Sequence, residues 1–87
     1  MEFDRHPIFK RQWQKLSQKL QAKTQDRLLL LSLNEYNEVL NNHKLHPPFD
    51  AYRSINITGD LRLVYRRTDS RTLYLRAIGT HHQLYGT

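Results

Sequence analysis

The stretch that decides the fold of this 87-residue chain runs from residue 52 to residue 66 and reads YRSINITGDLRLVYR. Apolar and polar side chains alternate on both sides of Gly59-Asp60, which is a typical turn sequence between two strands. A further alternating run follows the turn signal Asp69-Ser70. The pattern therefore predicts three antiparallel strands beyond residue 50, joined by tight turns.

The period of two also sorts the strand side chains onto two faces. One face is apolar and is expected to pack against helices; it holds Ile55, Ile57, Leu61, Leu63, Tyr65, Leu73, Leu75 and Ala77. The other face is polar and rich in arginine; it holds Ser54, Asn56, Thr58, Arg62, Val64, Arg66, Tyr74, Arg76 and Ile78. Such a face suits a ligand, although antiparallel sheets often leave one face in water and a bulge would reverse the assignment downstream of it.

The chain before residue 50 has a helical period. Residues 1–5 are predicted as a first strand, and Pro7 suits the first turn of a helix. The apolar stripe of that helix comprises Phe9, Trp13, Leu16 and Leu20. Thr24 is predicted to cap a second helix that ends at about Glu35. That helix is expected to turn four leucines toward the first: Leu28, Leu29, Leu31 and Leu33.

The double proline Pro47-Pro48 forbids a helix, so residues 36–50 are predicted as a loop. These elements together predict a single α+β domain over residues 1–87. Its N-terminal helical hairpin is expected to pack on one face of a twisted antiparallel β-sheet.

The charge of the chain favours an anionic partner. Fourteen Lys and Arg residues against eight Asp and Glu give a formal net charge of +6. Residues 43–87 hold seven basic and three acidic residues, and six of the seven are arginine, whose planar fork suits phosphate. Nucleic acid or an acidic protein is therefore the expected partner, although basic charge that serves solubility alone is the plain alternative.

Other functional classes are disfavoured by what the chain lacks. It has no cysteine, which excludes disulfides and thiolate metal sites and fits a reducing compartment. Its longest apolar run, Leu28 to Leu31, is four residues and far too short to span a membrane. We expect a cytoplasmic protein with no membrane partner.

Histidine is the candidate for proton transfer. His81 follows Ile78-Gly79 at the end of the last predicted strand, so its imidazole is expected at the rim of the arginine-rich face. An ordinary imidazole titrates near pH ~6.5 and can give or take a proton at neutral pH. An exposed and idle side chain is the alternative, and the neighbouring His82 is treated as spare. The spacing of His43 and His46 in the loop is too sparse for zinc without further ligands.

Three further groups are candidates for the same chemistry. Asp60 lies in the predicted turn, where local hydrogen bonding is an equally good reason for an aspartate. Arg62 faces the open surface by parity, where a guanidinium would stabilise a pentacovalent phosphate. An acid, a base and a fixed cation suffice to cleave RNA through its own 2′-hydroxyl, without a metal or cofactor. Three tyrosines are candidates for stacking on bases, with packing at the rim as the alternative: Tyr52, Tyr74 and Tyr85.

These residues resemble the RelE/YafQ-type toxins of bacterial type II toxin–antitoxin systems, which are small endoribonucleases that cleave messenger RNA on the ribosome. The resemblance is closest to the YafQ-like branch and covers the second half of the chain in detail. It is carried by Asn42-His43-Lys44-Leu45, Tyr52-Arg53, Gly59-Asp60 with Leu63-Val64-Tyr65, and Gly79-Thr80-His81-x-x-Leu84-Tyr85-Gly86.

The resemblance implies a RelE-like microbial RNase fold with His81 as a principal catalytic acid or base. His43 and Asp60 would assist it, Arg62 would stabilise the transition state, and Tyr85 would be a functional aromatic. Substrate contacts are expected from Lys44, Arg53, Asn56, Arg66 and Arg76. Asn56 stands where YafQ-like enzymes often have a histidine, and an amide transfers no proton at neutral pH. The implied partners are an antitoxin, mRNA and the A site of the ribosome, with no metal or cofactor.

Two other functions stay open at this point. ParE toxins share the implied architecture but poison gyrase without cleaving RNA. A non-catalytic nucleic-acid-binding module would need the arginine-rich face and no histidine. The presence of His81 and Asp60 favours the ribonuclease.

Overall fold

The computed structural model describes residues 1–86 and has helices packed against a five-stranded sheet, which confirms the α+β class. Its elements are β1 (Glu2–Arg5), α1 (Pro7–Gln14), α2 (Gln18–Leu33), a 3-10 turn (Glu38–Leu40), β2 (His43–Lys44), β3 (Arg53–Asn56), β4 (Leu61–Asp69), β5 (Thr72–Thr80) and α3 (His81–Tyr85). Within the described residues, no helix is long and apolar enough to cross a membrane.

The sheet is mixed, with the strand order β1-β5-β4-β3-β2. The prediction of a wholly antiparallel sheet is wrong for β1, which pairs parallel to β5. No tight turn joins β1 to β5, so nothing forces these two strands to run in opposite directions. The predicted loop before residue 50 also contains a strand, because His43 pairs with Ser54 and Lys44 with Arg53.

A bulge at Arg76 changes the faces of β5. Val64 pairs with Ala77 and Tyr65 pairs with Leu75, so Arg76 has no partner on β4. Side-chain parity is reversed beyond it: Ile78 belongs to the core and Ala77 shares the opposite face with Val64, contrary to the prediction from a strict period of two.

The helices break earlier than the apolar stripe predicts. Helix α1 ends at Gln14, and Ser17 caps α2 by accepting a hydrogen bond from the backbone N–H of Leu20 at 3.2 Å. Thr24 is therefore not the cap. It is buried within α2, where its hydroxyl donates to the carbonyl of Leu20 at 2.8 Å.

The core lies between the helices and one face of the sheet. Phe9 of α1 and Leu31 of α2 pack on an apolar surface made by Ile55, Ile57, Leu61, Leu63, Tyr65, Leu73, Leu75 and Ile78. Leu29 and Leu33 are 61% and 76% exposed, so the prediction that they face the first helix is wrong. With 3.6 residues per turn, the leucines of α2 spread over more than one side of the helix.

Candidate functional site

An open cleft of about 560 Å³ lies between helix α3 and the segment that begins with β2. It is lined by His43, Lys44, Leu45, His46, Pro47, Pro48, Phe49, His81, Leu84 and Tyr85. The structure thus brings together His43, His81 and Tyr85, which are three of the five predicted catalytic residues, and adds the ammonium group of Lys44. Three imidazoles, those of His43, His46 and His81, and a cation beside apolar walls suit a ligand that carries both phosphate and bases.

Reciprocal hydrogen bonds hold helix α3 at the edge of this cleft. The hydroxyl of Thr80 accepts from the backbone N–H of Gln83 at 3.1 Å, and Gln83 Oε1 accepts from the backbone N–H of Thr80 at 2.8 Å. The helix ends at Gly86, whose φ of 74° is left-handed and favours glycine. Both ends of the helix are therefore fixed, and His81 is its first residue.

Gly79 allows α3 to fold back closely on β5. A Cβ atom at this position would lie 3.0 Å from Gln83 Oε1 and 3.3 Å from Gln83 Cβ. Any larger residue would push against the glutamine that caps the helix. The order Gly79, Thr80, His81 is therefore a local unit that positions the imidazole.

The ring of His43 is oriented by the backbone before it. Its Nδ1 lies 2.9 Å from the carbonyl oxygen of Asn41, a residue with a left-handed φ of 46°. A carbonyl oxygen only accepts hydrogen bonds, so Nδ1 carries the hydrogen in this contact and Nε2 of the neutral ring carries the lone pair. His43 thereby has a nitrogen suited to accept a proton.

Tyr85 packs between two other rings of the cleft. Its ring centroid is 4.9 Å from that of His81 and 5.9 Å from that of Phe49, both edge to face. Its hydroxyl is buried and makes no hydrogen bond to the described residues. A buried hydroxyl without a partner costs free energy, so stability does not explain why a tyrosine stands here instead of a phenylalanine.

The other two predicted catalytic residues do not line this cleft: Asp60 lies in the β3–β4 turn, and Arg62 is the second residue of β4. Asp60 is exposed, and its backbone N–H donates to the hydroxyl of Thr58 at 3.4 Å. Arg62 Nη1 donates to the carbonyls of Thr58 and Gly59 at 3.1 and 3.0 Å. These bonds hold the guanidinium over the turn.

The strand register relates this turn to the cleft. Arg62 lies between Asn56 on β3 and Gly79 on β5, and Gly79 is two residues before His81. The side-chain oxygen of Asn56 is buried and has no hydrogen-bond partner among the described residues. Asn56 and Arg62 therefore form a polar row at the end of the sheet that leads toward His81.

Of the predicted substrate contacts, Arg53 has partners within the protein. Arg53 is half-buried, its Nε donates to Asn42 Oδ1 at 2.6 Å, and its guanidinium lies 5.4 Å from the ring centroid of Tyr36. Arg76, at the bulge, is also half-buried. Partial burial, with the positive charge of Arg76 nearby, lowers the pKa of His6. A role of these two arginines in substrate binding stays a prediction.

A partly buried group of hydrogen bonds, which was not predicted from the sequence, supports the start of the cleft. Asn42 Nδ2 donates to the hydroxyl of Tyr65 at 2.6 Å and to the carbonyl of Glu35 at 3.0 Å. The hydroxyl of Tyr65 donates to Glu35 Oε2 at 2.6 Å, and Arg67 Nη2 donates to Glu35 Oε1 at 2.8 Å. The only signal in the sequence was a tyrosine on an apolar face, since a buried hydroxyl needs a partner. Asn42 precedes His43, so this group fixes the chain where the cleft begins.

The electrostatics of this group follow from its hydrogen bonds. Burial and the bond to Glu35 raise the pKa of Tyr65. Burial would also raise the pKa of Glu35, but hydrogen bonds from Tyr65 and Arg67 outweigh it and lower that pKa below its ordinary value. Tyr65 is therefore neutral and Glu35 charged at neutral pH. Over residues 1–86, no group of three or more His, Asp or Glu side chains is arranged to hold a metal ion.

Solved structures share this architecture. The crystal structure of YafQ from E. coli strain BL21(DE3) matches at 27% identity over 98% of both chains, with a TM-score of 0.81. A chain of the E. coli DinJ–YafQ toxin–antitoxin complex matches at 26% identity, over 98% of this chain and 97% of that one, with a TM-score of 0.74. A YoeB/ParE toxin from Agrobacterium tumefaciens matches at 19% identity over 93% and 99%, with a TM-score of 0.78, and shows the fold alone. No curated protein sequence matches the chain.

The fold is thus that of the RelE-like class of small bacterial toxins, in which helices cover one face of a mixed sheet. The chain belongs to the YafQ family, the bacterial toxins of type II toxin–antitoxin systems, whose family model matches residues 1–86. The resemblance drawn from the second half of the sequence is confirmed, and it extends over nearly the whole chain.

Proposed function

We propose that this toxin is a ribosome-dependent endoribonuclease that cleaves messenger RNA and thereby inhibits translation. The observation that carries the proposal is the meeting of His43, His81 and Tyr85 around one open cleft of a basic protein. Cleavage through the 2′-hydroxyl of RNA requires only a proton acceptor, a proton donor and stabilisation of charge, and the chain supplies all three without a metal.

The orientation of the His43 ring suggests how the roles are divided. His43 presents Nε2 as the acceptor for the proton of the 2′-hydroxyl, and His81 in its charged form donates a proton to the leaving 5′-oxygen. The 2′-oxygen bonds to phosphorus as the bond to the 5′-oxygen breaks, which leaves a 2′,3′-cyclic phosphate. Lys44 contacts a phosphate at the cleft, and Tyr85 contacts the substrate beside His81. Asp60 acts from the neighbouring turn, and Arg62 acts from the start of β4.

The expected protein partner is a cognate antitoxin. The E. coli relative is known in a toxin–antitoxin complex with DinJ, which supports a similar partner for this chain. A net charge of +6 favours an antitoxin that is acidic in the segment covering the toxin. We therefore expect the toxin to act in the cytoplasm, where mRNA is translated.

Primer extension on a reporter mRNA, with and without translating ribosomes, tests the enzymatic proposal. Wild type is expected to produce discrete cuts only with ribosomes, and His81→Ala is expected to abolish them. His82→Ala is the matched control, because it removes the neighbouring exposed imidazole, which does not line the cleft.

Cuts that persist in His81→Ala would remove His81 from the mechanism. The absence of any cut by the wild type, with or without ribosomes, would overturn the ribonuclease proposal. A gyrase poison or a nucleic-acid-binding protein would then be the better description.

A further inference from the structure

A continuous row of contacting side chains leaves the cleft and crosses the sheet. It consists of Tyr85, Phe49, Tyr52, Arg66 and Tyr74, which we call the aromatic track. The ring centroid of Phe49 lies 5.9 Å from that of Tyr85 and 6.5 Å from that of Tyr52. The guanidinium of Arg66 lies 5.7 Å from the ring centroid of Tyr52 and 5.3 Å from that of Tyr74.

The track lies on the face of the sheet that the helices leave open. Arg66 and Tyr74 pair directly across β4 and β5, next to the pair Tyr65 and Leu75, whose side chains belong to the core on the opposite face. Arg66 is exposed, and the four rings of the track are half-buried, so each keeps surface for a ligand. His6 packs edge to face on Tyr74 at 6.2 Å and supports the far end of the track.

We propose that the aromatic track binds the single-stranded RNA that flanks the cleavage site. Bases stack on aromatic rings without regard to sequence, and an arginine among the rings can contact the phosphates between the bases. An acidic peptide would satisfy Arg66 but would leave the rings without stacking partners. The inference rests on the proposed function, because it takes RNA as the ligand of the cleft.

The track has a defined far end. Asp4 of the edge strand β1 pairs with Tyr74, so a phosphate that continued past this tyrosine would meet a carboxylate. Arg66 and Tyr74 do not line the cleft, so RNA that occupies only the cleft does not contact them, and we expect longer RNA to do so. The far half of the track therefore contributes affinity that depends on RNA length.

Fluorescence anisotropy with labelled 2′-O-methyl oligouridylates tests this dependence. Such oligonucleotides have no free 2′-hydroxyl and cannot be cleaved by the proposed mechanism, so binding is measured apart from catalysis. Oligomers of about three and about ten nucleotides are compared. Arg66→Ala and Tyr74→Ala are expected to weaken binding of the longer oligomer about tenfold and to leave binding of the shorter one unchanged.

Two variants separate stacking from charge. Arg71→Ala removes the same charge from an exposed position in the β4–β5 turn, and binding of both oligomers is expected to be near that of wild type. Arg66→Lys keeps the charge but loses the planar group between two rings, so it should recover only part of the lost affinity. Thermal unfolding of each variant shows that it is folded.

The proposal would be overturned if Arg66→Ala and Arg71→Ala lost equal affinity for the longer oligomer. It would also be overturned if Arg66→Ala lost equal affinity for the two oligomer lengths. Both outcomes hold whether or not the wild type cleaves mRNA. Loss of antitoxin binding by Arg66→Ala with unchanged binding of the longer oligomer would also overturn it and would assign this face to a protein. Failure of the ribosome assay alone would overturn the enzymatic proposal and leave the length dependence of binding intact.

Discussion

The phenolic oxygen of Tyr65 lies 2.6 Å from Oε2 of Glu35, and this bond ties strand β4 to the segment that follows α2. Tyr65 is fully buried at 0% exposure, and its oxygen also accepts a hydrogen bond from Asn42. Because Asn42 is the residue before His43, one partly buried group of hydrogen bonds serves both the stability of the fold and the position of a proposed catalytic side chain.

Removing the hydroxyl of Tyr65 should therefore weaken the fold. Tyr65→Phe leaves Asn42 and Glu35 without a buried partner, so we expect a loss of about 1–3 kcal/mol in the free energy of unfolding, measured by urea denaturation. Tyr36→Phe is the control, because that side chain is 67% exposed; its loss should stay below about 0.5 kcal/mol. Equal losses of unfolding free energy in the two variants would show that the hydrogen bonds of Tyr65 add no stability.

Acid should weaken the fold through Glu35. Hydrogen bonds from Tyr65 and Arg67 hold its pKa below the ordinary value of 4.5, so the unfolded chain binds this proton more readily than the folded protein. The stabilisation is complete above that value and is lost as the pH falls through the lowered pKa. Glu35→Gln should be less stable at neutral pH and should lose less on acidification, as Tm measured down to about pH 3 will show.

The matched control for this pH series is Glu38→Gln, which neutralises an exposed carboxylate on the 3-10 turn. It should lose stability in acid in parallel with the wild type. If Glu35→Gln also ran parallel to the wild type, the hydrogen bonds to Glu35 would not be the source of the acid sensitivity.

The sequence predicts the sheet better than the details of its last strand. The alternation around Gly59-Asp60 is sufficient for two strands and their inner face. The bulge at Arg76 leaves no such signal, because Ala77 and Ile78 are both apolar and either one satisfies a buried position. The helix boundary has the same difficulty, since Ser17 and Thr24 are both good caps and the choice between them depends on tertiary packing.

The sequence also predicts only part of the cleft. His81 and Tyr85 are four residues apart in a short helix, a spacing that brings side chains together. His43 joins them through a two-residue strand that pairs with Ser54, and two residues are too few to produce a periodic pattern. Contacts between distant segments of the chain therefore complete the site.

Filling the space at Gly79 should disturb α3 more than the sheet. Gly79→Ala places a Cβ atom 3.0 Å from Gln83 Oε1, so the capping glutamine must move and His81 moves with the helix. We expect a roughly ten- to hundredfold slower cleavage with a small change in Tm. Gly59→Ala is the control, because its Cβ would meet nothing within 4 Å. Equal cleavage rates for the two variants would show that the close approach of α3 is not needed.

The guanidinium of Arg62 should act on the chemical step. Two carbonyls of the β3–β4 turn already hold it, so the side chain loses little conformational entropy when it binds a phosphate. Arg62→Ala is expected to lower the single-turnover cleavage rate more than the affinity for RNA, because its charge matters most at the pentacovalent phosphate. Arg71→Ala is the charge-matched control. A fall in affinity alone would make Arg62 a residue that positions the substrate.

Removing the hydroxyl of Tyr85 should lower activity without lowering stability. It is buried without a partner among the described residues, so Tyr85→Phe should unfold at the same urea concentration as the wild type or a higher one. The ring contacts with His81 and Phe49 are kept, so any effect on cleavage belongs to the hydroxyl. We expect cleavage on the ribosome to be at least about tenfold slower, because we propose that this oxygen contacts the substrate. A variant that is less stable but cleaves at the wild-type rate would give the hydroxyl a structural partner and remove it from the substrate contacts.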